Sequence, residues 1–342
     1  MVFDERSLAS AAYSCLLGGA VGDAVGAVLE FYRTEITHAD VEAALSMPGG
    51  GAHCVGRGQV TDDTELSIAL ASALVGADPS AGFPSDAVAR AYREWAASDP
   101  FDIGNTCAAA FMSRGPAEGT GHGAAASMQA AASASSSSSE ANGALMRCAP
   151  IAVWGCRLPA EGIAEAARTD ARLSHPSDVC QDASAAYVVA LAHLITHPED
   201  ASGALAAATS ACARNPCVTR WLCEESAAAW PPLGPGGALH CAGHARWGFV
   251  LAFGALRSGA SFADALRATL LAGGDTDTNA AIVGAMVGAL HGSSSERGVP
   301  PDLVGPVLNC DPSARGFKGR PRPACYAPSR LRELTTALLP AQ

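Results

Sequence analysis

The chain has 342 residues, 49% of them hydrophobic but only 6% aromatic, and a formal net charge of −11. That charge argues against a general nucleic-acid-binding role, because the phosphate backbone would be repelled. A rough prior of about 150 residues per domain leaves room for one large domain or two, and abundant alanine and glycine suit close-packed helices better than sheets rich in β-branched and aromatic residues.

The N-terminus carries Asp4 and Glu5 rather than the basic start of a signal peptide. No uncharged apolar stretch reads as a bilayer span, so a cytoplasmic protein with no membrane partner is expected, and a monomer. Leu8 to about Leu29 reads as a helix in which Gly18, Gly22 and Gly26 recur at four-residue spacing. Each costs roughly 1 kcal/mol of helix propensity, so a close backbone approach must compensate. Residues 31–59 read as loop, broken most clearly at Met47-Pro48-Gly49-Gly50-Gly51. Helices follow from near Thr61 to Leu74 and from Ser85 to Ala97, the latter with Val88, Ala91, Tyr92 and Trp95 on one face.

Residues 113–140 are of low complexity and end in the run Ser135 to Ser139; a flexible surface insertion over about 113–139 is expected there. Helical patterns resume at Ile163–Ala171, Ser177–Ile195, Gly203–Ala213, Gly243–Ser258, Phe262–Ala272 and Asn279–His291. The proline-containing tail reads as irregular until Ser329–Leu339. Twelve cysteines occur without a C-x-x-C. The tightest group, Cys212, Cys217 and Cys223 followed by His240, Cys241 and His244, suits buried thiols better than zinc. With no repeat and no run of alternating strands, the expected architecture is a single all-α domain over 1–342.

Three segments put carboxylates where folding alone would not. Asp23 falls mid-helix among apolar residues, and Glu30 near that helix's C-terminal end, where its charge opposes the dipole; either reads equally as a capping or surface acid. Thr61-Asp62-Asp63-Thr64 at a helix start is ordinary N-cap chemistry, yet also a set of hard oxygen donors of the kind Mg²⁺ or Mn²⁺ prefers. Gly273-Gly274-Asp275-Thr276-Asp277-Thr278 weighs most. In a regular helix residues two apart point about 200° from one another, whereas a loop opened by two glycines lets Asp275 and Asp277 both turn inward. Small residues at Gly284, Gly288 and Gly292 then allow close helix contact. Five acids converging on one centre suit two divalent ions, and the lack of histidine among them disfavours zinc.

In this order, Gly22-Asp23-Ala24-x-Gly26, Thr61-Asp62-Asp63-Thr64 and Gly273 to Thr278 resemble the motifs of the ADP-ribosylglycohydrolase family. Asn142-Gly143-Ala144-Leu145-Met146-Arg147-Cys148-Ala149-Pro150 and Ser174-His175 match it too, so the resemblance runs from about residue 8 to 292. It implies a compact, orthogonal multi-helix bundle around a central dinuclear Mg²⁺ or Mn²⁺ site. Thr61, Asp62, Asp63, Asp275, Asp277 and Thr278 would be ligands, with Glu30 binding an ion directly or through water. Catalytic duty would fall on Glu30, Asp62, Asp63 and Asp277. The diphosphate and ribose would meet Ser139, Asn142, Gly143 and Met146, with His175 a further contact, and Asp102 or Asn105 would border the leaving group. Arg147 stays open between the diphosphate and a structural ion pair.

The implied reaction is hydrolysis at C1″ of ADP-ribose carried on a protein side chain or a small substrate, by a metal-associated water. Gly58-Gln59-Val60 and Ala149-Pro150 are similar to the bacterial, dinitrogenase-reductase-activating branch that removes ADP-ribose from arginine; the serine run before Asn142 departs from the family pattern. Two alternatives stand beside it: hydrolysis of another linkage (serine or O-acetyl-ADP-ribose), and a non-catalytic ADP-ribose binder. A dinuclear phosphohydrolase is disfavoured by the absence of an adjacent His-Asp pair.

Overall fold

The computed structural model describes residues 5–32, 35–113, 123–292 and 296–339, among which there are sixteen α-helices and no named strand. The first third holds α1 (Glu5–Gly26), α2 (His38–Leu45), α3 (Asp62–Leu74), α4 (Ser85–Ala97) and α5 (Asn105–Phe111). Then come α6 (Ala124–Ser136), α7 (Ala149–Trp154), α8 (Ala160–Arg172), α9 (Asp178–Thr196), α10 (Ala201–Cys212) and α11 (Pro216–Arg220). The last third is α12 (Ala245–Ser258), α13 (Phe262–Ala272), α14 (Thr276–His291), α15 (Pro301–Leu308) and α16 (Leu331–Leu338).

The pair α1 and α14 forms the axis of the bundle, and its glycines explain why. A Cβ at Gly18 would overlap the Gly284 carbonyl, and one at Gly284 would overlap Gly18. At Gly26 it would strike the backbone of Thr276 and Asp277. Backbone contact this close recovers through dispersion what the glycines lose in propensity. Thr276 Oγ1 then donates to the Gly26 carbonyl at 2.8 Å, tying the start of α14 to the end of α1. The small residues therefore register the two segments that carry Glu30 and Asp277.

By length and hydropathy α1 and α9 each pass as a candidate membrane span, but both carry charged residues and 78% of each window is buried inside the bundle. Tyr187 of α9 donates its hydroxyl to the Ile282 carbonyl of α14 at 2.7 Å, a contact of a core helix.

Four expectations need correcting. The stretch read as loop contains α2, started by a capping box between Thr37 and Asp40. The insertion expected over 113–139 is in large part α6, which buries Met128 and Ala132 completely; residues 114–122 lie outside the described residues. Alanine is the strongest helix former, so low complexity there is a helical composition, and the helix packs on α4 and α5. The tail contains α15. Finally, α14 begins at Thr276 rather than Asn279, which places Asp277 in a helical first turn. Of the cysteine group, Cys212 is buried, Cys217 half-buried, and Cys223 and Cys241 exposed.

Candidate functional site

A cleft of about 300 Å³ opens where the end of α1 meets the N-termini of α3 and α14. Glu30, Asp62, Asp275, Asp277 and Thr278 line its floor. The two helix starts present their acids where unpaired N–H groups and the dipole favour negative charge. Gly273 and Gly274 take φ of 71° and 79°, left-handed values that turn the chain so that Asp275 becomes the N-cap of α14.

Asp23 plays a part that its own helix does not reveal. It is fully buried, and its carboxylate accepts from the Thr61 and Thr64 amides at 3.0–3.1 Å and from the Thr64 hydroxyl at 2.6 Å. The N-cap of α3, Thr61, makes no side-chain cap of its own. Asp23 thus caps α3 from the last turn of α1 and fixes the turn that carries Asp62 and Asp63. Asp63 Oδ2 accepts from the Thr61 and Thr278 hydroxyls at 3.1 and 3.3 Å, which brings both expected hydroxyls to the same acid.

The floor is electrostatically unfinished. Burial, reinforced by neighbouring carboxylates, pushes Asp62, Asp63 and Asp277 well above the usual carboxylate range. Glu30 is pushed up to about 9, chiefly by burial and then by Asp102 and Asp275. Burial lifts Asp23 to about 7 against the pull of its four hydrogen bonds. Among the described residues no Lys or Arg pairs with any of these acids; the buried Asp63 Oδ1 has no hydrogen-bond partner, and Glu30 Oε2 has only the ring nitrogen of His53 beside it, at 3.1 Å.

Carboxylates in mutual contact at neutral pH need either shared protons or a cation. Two all-carboxylate groups share Asp277, namely Asp23, Asp63 and Asp277, and Glu30, Asp275 and Asp277, with ligand atoms within 4.8 Å in each; a third group joins Glu30 to Asp102 and His53, a histidine the sequence reading did not expect among these acids. Hard oxygen donors at this spacing fit Mg²⁺ or Mn²⁺. Asp62 opens on the cleft but belongs to none of these groups.

The far wall carries Asn142, Gly143, Met146 and His175. Asn142 Nδ2 donates to Asp275 Oδ2 at 2.7 Å, so this loop is tied directly to the floor. His175 is buried, and its Nδ1 meets the Ser174 hydroxyl at 2.8 Å while Nε2 is left without a partner. Burial, helped by the charge of Arg147, lowers its pKa to about 3, so the ring is neutral. Arg147 NH1 donates to Ser174 Oγ at 2.7 Å. That favours the arrangement in which the hydroxyl hydrogen goes to Nδ1 and the ring N–H sits on Nε2.

Arg147 itself stays off the cleft. It is fully buried, 3.1 Å from Asp170, stacked 4.6 Å over Tyr92, and donates to the Gly143 carbonyl at 3.1 Å. Of its two open readings the structural ion pair holds, with the added effect of bracing the loop that bears Gly143. Asp102 and Asn105 line the cleft near the start of α5, whereas Ser139 does not; its hydroxyl meets Thr106, which does line it, at 3.0 Å.

Two residues escaped the sequence reading. His53 places Nε2 3.1 Å from Glu30 and 3.7 Å from Asp102, and its ring lies between Phe31 and Phe101 with both centroids at 5.9 Å. Phe31 lines the cleft beside Glu30. Neither stands in a motif; only the proximity of Phe31 to Glu30 in sequence could have flagged one of them.

Comparison with known proteins bears on this arrangement. A family model described as ADP-ribosylglycohydrolase matches residues 4–331. ADP-ribosyl-[dinitrogen reductase] glycohydrolase of Rhodospirillum rubrum is 33% identical over 150 residues, a stretch that covers 44% of this chain and 46% of that protein. ADP-ribosylarginine hydrolase Tri1 of Pseudomonas putida (strain GB-1) is 28% identical over 302 residues, covering 86% of this chain and 73% of that one. A putative ADP-ribosyl glycohydrolase, L543, of Acanthamoeba polyphaga mimivirus is 26% identical over 322 residues, covering 89% and 92%. A solved structure titled "ADP-ribosylglycohydrolase-related protein complex" superposes with a TM-score of 0.69 at 23% identity, covering 97% of this chain and 98% of that one; it shares the fold.

Proposed function

The chain belongs to the ADP-ribosylglycohydrolase family and is an ADP-ribosyl hydrolase; from that premise we propose that it removes ADP-ribose from arginine side chains with the help of two divalent cations, Mg²⁺ or Mn²⁺. The observation that carries the proposal is an acid floor, Glu30, Asp62, Asp275 and Asp277, that no Lys or Arg neutralises among the described residues, facing a wall of Asn142, Gly143 and His175 across one cleft. One of the relatives named above, Tri1, is by name an ADP-ribosylarginine hydrolase, which supports the choice of linkage.

Asp63, Asp275 and Asp277, with Glu30, Asp62 and the hydroxyls of Thr61 and Thr278, would hold the cations. When bound, the cations supply Lewis-acid polarisation and a water acidic enough to attack near neutral pH. The chain's own residues do the rest. Neutral His175 offers Nε2–H as a donor to an anionic or hydroxyl oxygen of the ligand, and the Gly143 backbone gives it room: a Cβ there would lie 2.9 Å from the imidazole. Asn142 orients Asp275. Glu30, as a carboxylate on the floor of the cleft, would accept the proton of the attacking water. Asp102 sits on the wall toward the leaving group. Anionic oxygens on the floor favour the positive charge that develops on the ribose.

The test is product analysis. Metal-loaded protein is mixed in parallel with ADP-ribosyl-arginine, ADP-ribosyl-serine, O-acetyl-ADP-ribose and ADP-ribose. Release of ADP-ribose from the arginine conjugate is expected to be fastest. Cleavage of the serine or acetyl ester alone, or binding without any turnover, would overturn the assignment of linkage or of catalysis.

A further inference from the structure

Phe31 is an anomaly on general grounds. Its backbone has φ of 55°, a left-handed conformation costly for a bulky side chain, and 61% of its surface is exposed. Burial therefore returns little for the strain. Strain of this kind is kept where the surroundings hold a side chain in place for use. Phe31 stands at the cleft's edge, dividing it from an outer groove floored by Gly51 and Ala52. The His53 ring supports it from behind, and beyond His53 comes Phe101, over which the guanidinium of Arg320 already lies at 5.6 Å. At the foot of this aromatic row stand the carboxylates of Glu30 and Asp102.

An aromatic face above carboxylates is a receptor for a flat cation. We propose that Phe31 is a specificity-determining residue: its ring is the platform on which the planar, positively charged leaving group stacks while the bond to ribose breaks. This rests on the arginine-directed reading above and adds to it the residue that reads the guanidinium.

Three variants separate a π platform from a merely apolar one. Phe31→Leu keeps bulk but removes the quadrupole, Phe31→Trp enlarges it, and Phe31→Gly removes the ring together with the backbone strain. Turnover of ADP-ribosyl-arginine, inhibition by agmatine with ADP-ribose bound, the affinity for ADP-ribose alone and Tm are measured for each. Phe31→Leu should lower kcat/KM for the arginine substrate about 5- to 30-fold and weaken agmatine by a similar factor. Phe31→Trp should stay within about twofold of the wild type or exceed it. ADP-ribose affinity should hold in all three, and Tm of Phe31→Gly should match or exceed that of the wild type.

Wild-type kinetics for Phe31→Leu, equal losses for Leu and Trp, or a parallel loss of ADP-ribose affinity would overturn the proposal. A wild-type protein that leaves ADP-ribosyl-arginine intact would sink the functional reading instead. The platform is then judged by agmatine alone: binding that Phe31→Leu abolishes supports it, and no binding contradicts it.

Discussion

The Asp170 pocket and the cleft floor are both buried and acidic, and they are finished in opposite ways. Asp170 is fully buried, yet its two oxygens take Arg147 Nε at 3.1 Å and the Tyr92 hydroxyl at 2.7 Å, and Arg147 closes the set on Tyr92 and Gly143. Glu65, next to the motif acids, is settled likewise by Arg322 at 2.7 Å and Trp95 Nε1 at 2.8 Å. The floor and Asp63 just beneath it gather Asp62, Asp63, Asp277 and Glu30 with no Arg or Lys paired to them among the described residues. Burial of an ionised carboxylate is tolerated only with a counter-charge. Where the chain supplies the cation the acid is architecture; where it does not, the acids are left to shared protons or to a cation from outside.

Breaking the finished pair should have the largest effect. Arg147→Met leaves Asp170 buried and uncompensated, and should cost about 3–5 kcal/mol of stability, read as a shift in the midpoint of urea unfolding. It should also loosen the Gly143 loop. A variant as stable as the wild type would mean that Asp170 simply takes up a proton and that the contrast between the two regions is weaker than drawn here.

Asp277→Asn sharpens the comparison from the other side. It keeps shape and removes one charge shared by both acid groups, so turnover should drop by roughly 100-fold or more, beyond the typical effect of an outer-shell residue. Stability of the metal-free protein should hold or rise, since repulsion falls. Marked destabilisation of that metal-free variant relative to metal-free wild type would make Asp277 architectural, like Asp170.

A smaller, graded effect follows from pH. The folded-state pKa of Glu30 is raised to about 9 from its ordinary value, and Asp62, Asp63 and Asp277 shift the same way. A group raised on folding contributes stability that is fully present below its ordinary pKa and is lost as pH rises through the folded value. Metal-free protein should therefore lose stability steadily from about pH 5 toward pH 9. Added Mg²⁺ should raise Tm more at the alkaline end, because it competes with protons for the same oxygens. A Tm independent of pH in metal-free protein would contradict the shifted acids.

The sequence was informative about the floor because its acids stand in short motifs beside glycines, and Gly26 and Gly273 serve structural purposes that local rules describe. It was silent where one helix serves another. Asp23 reads as an odd acid in an apolar helix, and only the crossing of α1 and α3 makes it a cap for Thr61 and Thr64. Arg147 is equally plausible beside a phosphate until Asp170, 23 residues on, closes on it. The Ala/Ser tract looked expendable because low complexity was weighed above alanine's helix propensity, and Met128 shows a buried face. His53 and Phe31 belong to no pattern at all, since their partnership is made by ring contacts across the mouth of the cleft.

The most direct test of the central claim, that the unfinished floor is completed by cations, is metal content by elemental analysis after loading with Mn²⁺ and removal of free ion, on the wild type and Asp277→Asn together. Two groups of acids sharing Asp277 predict close to two ions per wild-type chain and a clear deficit in the variant. A wild type that retains no metal, or a fully active one that holds a single ion, would contradict it.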